Sequence, residues 1–239
     1  MQTANITEMN ESIFKALHAM WKARGWRLPI QYLFQNYLFD QINKTDTHKR
    51  LDKVNYLEEP NSFNDGRLYM SCPTNEIKKS LLFLRHRIGD KFYNYQFVDL
   101  GTGKGKPVLV YVKLFKEDIK YNPLGIEYYK PLVDIANNNL RVLGITDKAT
   151  FSNSDAREFD EHISTKNIIV FLYNSFEGSV FNSVLNKVLL CDDVYLIYMD
   201  PVFDNILIDL HLEKIDEKKG RFPNRCINIY HKSGNIKNC

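Results

Sequence analysis

The 239 residues are 44% hydrophobic and 26% charged, with a formal net charge of +3, enough apolar material for one core carrying an N-terminal extension. Lysines scattered among acids argue against a protein that grips nucleic acid by charge alone, which makes a nucleic-acid partner unexpected. Cys72, Cys191, Cys226 and Cys239 form no C-x-x-C pair and suggest no zinc site, no run approaches the ~18 apolar residues of a membrane span, and the acid-bearing stretch from Met1 to Glu11 is not a secretory signal, so a cytoplasmic protein with reduced thiols is expected.

Residues 1–90 read as a helical cap segment. Ile13, Phe14, Leu17, Met20 and Trp21 recur at helical spacing and predict one apolar stripe, which stops at Arg24-Gly25-Trp26. A second helix is expected from Pro29 to Gln41. From Asn43 to Cys72 the pattern dissolves into Asn, Asp, Pro and Gly, as in irregular chain. Thr74 then has the character of an N-cap for a helix through Leu81, Leu84 and Arg87.

From Tyr95 the rhythm changes to short apolar runs alternating with helical stretches, and residues 91–239 read as the main domain. The predicted strands are Gln96–Leu100, Pro123–Glu127, Thr150–Asn153, Asn167–Tyr173 and Asp193–Met199. Helices are expected over Pro107–Phe115, Lys130–Leu143 and Ser179–Leu190. Alternation at this length predicts an α/β fold, a mostly parallel sheet with helices on both faces. Leu207–Ile215 and Cys226–His231 read as two further strands joined by the polar turn Asp216–Asn224, which adds a reversed terminal strand.

The sharpest local signal is Phe97-Val98-Asp99-Leu100-Gly101-Thr102-Gly103-Lys104-Gly105, an apolar strand ending in an acid, followed by alternating glycines and a helix. Ligands of open parallel sheets bind at the carboxyl ends of the strands, and glycines there let backbone approach a ligand that a Cβ would repel. Glu127 ends the second strand, placed to accept hydrogen bonds from two ribose hydroxyls. After the third strand comes Asn153-Ser154-Asp155-Ala156, where Asp155 can accept from an adenine amine and the Ala156 amide can donate to the ring. Each acid alone has an ordinary alternative as a helix cap or a solvated loop residue; the argument rests on three of them following three successive strands. The G-x-G-x-G spacing differs from the G-x-G-x-x-G usual for a dinucleotide pyrophosphate. A carboxylate at position 99 suits a ligand with an amino group and a sulfonium.

With these residues the stretch from Phe97 to His231 resembles the class I S-adenosylmethionine-dependent methyltransferases, whose fold is a seven-stranded Rossmann-like sheet. The resemblance implies that Asp99, Gly101, Thr102 and Gly103 line the methionine and ribose side, Glu127 holds the ribose and Asp155 with Ala156 faces adenine. Lys104 and Lys106 depart from a glycine loop of small residues and are expected to point outward. In this fold the end of the fourth strand, Tyr173-Asn174-Ser175-Phe176, lies beside the transferable methyl. An Asn174 side-chain oxygen can accept from an amine and steer its lone pair, and the Phe176 ring can shield it and favour the sulfonium; the alternative is a turn-forming Asn and a core Phe. Phe171–Phe181 is also similar to the corresponding element of Dot1-like protein-lysine methyltransferases, which implies an amine acceptor on a protein or a small molecule. Tyr69 and Thr74, in the segment before the first strand, are expected near the methionine end, with a packed Tyr and a capping Thr as the alternative. The six histidines are dispersed and suggest no metal site. Two other readings remain open at this stage: a non-catalytic scaffold that binds S-adenosylmethionine, and a nicotinamide-dependent oxidoreductase in which Glu127 serves the other ribose.

Overall fold

The computed structural model describes residues 14–15, 17–22, 25–49, 69–173, 175–176, 178–210, 212–219 and 226–232. Residues 14–15 and 17–22 are helical. A continuous helical run, α1, spans 27–43, made of Arg27–Tyr32, a π-helical turn Leu33–Tyr37 and Leu38–Asn43. Helix α2 is Thr74–Ile88, and a 3-10 turn, Gly89–Asn94, leads into β1, Gln96–Leu100. There follow α3 (Lys106–Phe115), β2 (Leu124–Glu127), α4 (Lys130–Leu143), β3 (Thr150–Asn153), a 3-10 turn (Ala156–Glu161), β4 (Asn167–Tyr173), α5 (Gly178–Leu189) and β5 (Asp193–Met199). The chain ends with α6 (Asp204–Asp209), β6 (Glu213–Lys219) and β7 (Cys226–Lys232).

The seven strands form one sheet in the order β3-β2-β1-β4-β5-β7-β6. The first five run parallel and β7 is antiparallel to β5 and β6. This is the expected Rossmann-like arrangement with a reversed strand. Alternation along each strand feeds two separate cores. Phe97, Ile169, Phe171, Tyr195 and Ile197 face one side with α2, α3 and α4, while Val98, Leu100, Val170 and Leu196 face the other with α5 and α6.

The tail departs from the expectation that Leu207–Ile215 is one strand. Leu207 belongs to α6 and is fully buried, and the strand begins only at Glu213. The run Asp216–Lys219, expected as a solvated turn, is part of β6. An edge strand tolerates charges on its open side, so β6 carries almost no apolar signal. Its pairing with β7, from Glu213↔His231 to Lys219↔Cys226, holds it in place. Thr74 is likewise not the cap: Pro73 occupies that position, and Thr74 opens the helix with its hydroxyl donating to Gln35 O at 2.6 Å.

Phe171 is 1% exposed in the larger core, whereas Val142 on α4 is 45% exposed. Phe171→Ala is expected to cost about 3–5 kcal/mol, and Val142→Ala less than about 0.5 kcal/mol, as read from urea denaturation midpoints.

Candidate functional site

The chain leaves β1 through a turn whose three glycines all adopt positive φ: +75° at Gly101, +56° at Gly103 and +85° at Gly105. Only glycine takes such angles without strain, so the sequence dictates the shape of the turn. The Gly101 and Thr102 amides both donate to Ile126 O at 2.9 Å, tying the turn to β2. Gly105 caps α3, with Pro107 in the first turn, where its missing N–H is no loss.

Two of the expected acids meet at this turn. Asp99 is 2% exposed and accepts from Thr102 Oγ1 at 2.5 Å. Burial, reinforced by the nearby Glu127 charge, pushes its carboxyl up to about 7, against the opposing pull of the Thr102 hydroxyl. Glu127 accepts from the Gly103 amide through Oε2 and from the Tyr129 amide through Oε1, both at 2.9 Å. Asp99, Thr102, Gly103 and Glu127 thus form one connected group. Asp155 stands apart from it: its carboxylate caps the 3-10 turn through the Arg157 amide at 2.9 Å and binds the Arg157 side chain at 3.0 and 2.5 Å. The Arg157 bonds hold its pKa below the usual carboxylate range. Ala156 beside it is buried.

The surface of the turn is covered by other residues. A Cβ on Gly101 would come within 2.3 Å of Ser175 Cβ, and one on Gly103 within 2.4 Å of the Tyr69 ring. Tyr69 therefore lies directly on the glycine turn, and its hydroxyl donates to Thr47 O. Phe176 is 7% exposed and packs in the smaller core with α5. Asn174 lies outside the described residues. Thr74 is buried on α1 through its bond to Gln35 O.

Lys104 and Lys106 are the clearest correction to the sequence reading. Neither points outward; each is 1% exposed. Lys104 Nζ donates to Asp46 Oδ1 at 3.1 Å and sits 5.7 Å from the centre of the Tyr69 ring. Lys106 Nζ donates to Gln35 O at 2.8 Å, Asn36 Oδ1 at 2.6 Å and Ser71 Oγ at 3.4 Å, and lies 5.0 Å from the Phe39 ring centre. Burial pushes its pKa down to about 8. Asn139 on α4 completes the link, accepting from the Asp46 amide at 2.9 Å and donating to Lys104 O at 3.1 Å. These residues bolt the N-terminal segment onto the glycine turn. The one signal for them in the sequence is a pair of lysines inside a glycine turn.

Asp40, Asp46 and His48 bring ligand atoms within 4.8 Å of one another. Their bonding is internal, however. Both Asp40 oxygens are filled by the Thr45 hydroxyl, the Thr47 amide and hydroxyl, and the His48 amide and Nδ1, at 2.5–2.7 Å. Asp46 is held by Lys104. The knot fastens the end of α1 to the strap that follows. A hollow of about 550 Å³ bordered by Gln96, Asn122, Thr150 and Ser164 lies at the amino ends of β1–β3, the opposite edge from the one where parallel sheets bind ligands.

Among solved structures the architecture recurs. An RNA methyltransferase from Salinibacter ruber, in complex with S-adenosyl-L-homocysteine, matches with a TM-score of 0.51 at 16% identity, over 70% of this chain and 97% of that one. The fold is the class I methyltransferase fold. TrmN from Thermus thermophilus shares it at a TM-score of 0.51 and 14% identity, over 67% of this chain and 49% of that one. No protein-family model and no curated protein matches the sequence. Among the described residues of this methyltransferase fold, no helix is long and apolar enough to cross a membrane.

Asp99 has a consequence for pH. Its folded pKa, about 7, lies above the ordinary ~3.9, so between these values the folded state keeps a proton that the unfolded state has lost. Stability therefore falls as pH rises from about 4 to about 7. At ~1.4 kcal/mol per unit the fall is on the order of 4 kcal/mol at most. Asp99→Asn should remove it, flattening the difference in unfolding free energy between pH 5 and pH 7.5 measured by urea titration.

Proposed function

We propose that this chain transfers a methyl group from S-adenosylmethionine to an amine nitrogen. The observation that carries the proposal is the placement of Asp99 and Glu127 at the carboxyl ends of β1 and β2 around a positive-φ glycine turn, with Asp155 just beyond the end of β3, in a sheet with a reversed seventh strand. We assign residues 1–90 to a cap and 91–239 to the transfer domain.

The residues fit the cofactor by charge and by donor set. Asp99 is a buried carboxyl in need of a counter-charge, which a ligand ammonium supplies. Glu127 accepts the Gly103 amide through Oε2 and the Tyr129 amide through Oε1, and a carboxylate oxygen can accept from more than one donor, a ribose hydroxyl among them. The Ala156 amide and the Asp155 carboxylate suit adenine, with Arg157 sharing the carboxylate. Gln31 and Gln35 in the cap carry buried side-chain carbonyl oxygens that find no hydrogen-bond partner among the described residues. Because Ser175 and Tyr69 lie against Gly101 and Gly103, binding entails a shift of these two side chains. S-adenosylmethionine, when bound, supplies an electrophilic methyl on a sulfonium. Asn174 then orients the acceptor nitrogen by accepting its N–H, and Phe176 walls off water, so that alignment provides much of the rate. The acceptor class rests on Asn174 and on the Dot1-like character of Phe171–Phe181. The Salinibacter neighbour is an RNA methyltransferase, which adds RNA to the acceptors to be tested.

Calorimetric titration with S-adenosylmethionine, S-adenosylhomocysteine and NAD tests the reading. The first two are expected to bind and NAD is not; binding of NAD alone overturns it. Glu127→Gln should weaken cofactor binding about tenfold or more, as loss of a charged acceptor does. Affinity should rise with pH toward about 7 as Asp99 ionises. Asn174→Ala is expected to leave cofactor affinity within about twofold while lowering turnover on a proven acceptor about tenfold or more; unchanged turnover removes Asn174 from the mechanism.

A further inference from the structure

Helix α1 is turned inside out. Its buried positions are Gln31, Gln35, Asn36, Phe39 and Asp40, while Ile30 is 43%, Phe34 67% and Ile42 77% exposed. Trp26, immediately before the helix, is 61% exposed. Trp26, Ile30 and Phe34 recur every four residues and so share one face. The preceding helical residues continue the pattern. Phe14 is 71% and Trp21 56% exposed, whereas the aliphatic Leu17 and Met20 are half-buried. The aromatic rings are therefore the part of the stripe turned to solvent. Gly25, with φ +77°, donates its amide to Trp21 O at 2.8 Å and places the chain's two tryptophans on either side of a single tight turn.

Charge along this stretch of sequence has one sign. From Ser12 to Phe39 the sequence holds Lys15, Lys22, Arg24 and Arg27 and not one Asp or Glu. Lys15, Lys22 and Arg27 are exposed. On a helical wheel Phe14, His18 and Trp21 lie beside Lys15 and Lys22, and the Arg27 guanidinium stands 5.6 Å from the Trp26 ring centre. A chain-wide charge of +3 conceals this local excess of cations.

We infer that this face binds a single-stranded nucleic acid, with bases stacked on Trp21, Trp26 and Phe34 and phosphates held by Lys22 and Arg27. Flat rings interleaved with cations are what unpaired bases and their backbone require. Duplex nucleic acid offers no free base faces to such rings. An amphipathic membrane helix keeps its Lys and Arg on the face opposite a continuous Trp/Phe/Leu face, whereas here Lys22 and Arg27 adjoin Trp21 and Trp26, and Leu17 and Met20 are half-buried. The surface adjoins the candidate site: Phe34 is the immediate neighbour of Gln35, whose carbonyl binds Lys106 of α3, so a strand on this face lies about one helix diameter, ~10–12 Å, from the glycine turn. If the methyltransferase reading holds, the acceptor is a base amine of the bound strand. The binding itself does not depend on that reading.

The experiment uses the full chain without cofactor. Fluorescently labelled oligouridine and oligothymidine 20-mers are titrated by anisotropy, beside an RNA duplex and phosphatidylserine vesicles. Expected are binding of at least one single strand, quenching of tryptophan emission, and a fall in log affinity with log salt of slope about −1.4, as for two phosphate contacts. Trp21→Ala and Trp26→Ala should each weaken binding about tenfold, and Lys22→Glu with Arg27→Glu should flatten the salt dependence. Neither single strand binding, equal affinity for the duplex, binding of vesicles alone, or affinity unchanged in the doubly tryptophan-less variant would each overturn the inference. Which single strand binds distinguishes RNA from DNA. Failure here leaves cofactor calorimetry unaffected, and failure of cofactor binding leaves this result standing.

Discussion

A buried ammonium organises the N-terminal half of this protein. Lys106 opens α3 directly behind the glycine turn, with 1% of its surface exposed. A charge out of water must be met by acceptors or it destabilises the fold. Those acceptors come from Gln35 O and Asn36 Oδ1 on α1 and from Ser71. The π-helical turn at Leu33–Tyr37 is where this happens: Gln35 O receives both the Lys106 ammonium and the Thr74 hydroxyl. Wide turns of this kind leave backbone carbonyls open to other donors. Lys104, two residues earlier, repeats the device with Asp46. The cap is consequently fixed to the turn itself rather than merely packed against the sheet, and Tyr69 is delivered onto Gly103 as part of the same strap.

The same constraint explains the inversion of α1. With its polar residues committed inward to Lys106, Thr74 and the Asp40 knot, the remaining face of the helix must carry whatever apolar residues it has to the outside. Ile30 and Phe34 are exposed for that reason. An amphipathic pattern gives the two faces of a helix but not which one turns inward. Here the usual assignment fails because a lysine needs acceptors more than the core needs a phenylalanine.

How far the sequence was legible follows from the same physics. Four of the five parallel strands, β1, β3, β4 and β5, have the expected bounds; β1, β4 and β5 are buried on both faces and so nearly continuous in hydrophobic residues, whereas the edge strand β3 buries only Phe151. Asp99 and Glu127 stood out in the sequence because, with Asp155, they follow three successive strands, the first of which runs into a glycine turn. Their direct link through Thr102 and Gly103 required coordinates. Strand β6 was legible in existence but not in extent: at the edge of the sheet it needs only backbone pairing, so Asp216–Lys219 give no strand signal and the expected strand was set too early. Lys104 and Lys106 were misread because lysine is almost never fully buried unless paired, and their partners lie 58 and about 70 residues earlier in the chain. Helical periodicity and glycine spacing are local; the bolts between cap and turn are not.

This separation between local and distant information bears on specificity. Residues of the glycine turn and the strand ends are those any ligand of this edge would use, and they are the ones short-range patterns reveal. The cap, by contrast, owes its orientation to two lysines of the turn, so its outer face is positioned by the same bonds that shape the inner site. A ligand that moved Tyr69 off Gly103 would act on a strap whose other contacts run through Asp46 and Lys104 to Asn139 on α4 and through Ser71 to Lys106. The inner and the outer face of α1 are thus positioned by one set of bonds, those of Gln35 O and Asn36 Oδ1 with the Lys106 ammonium.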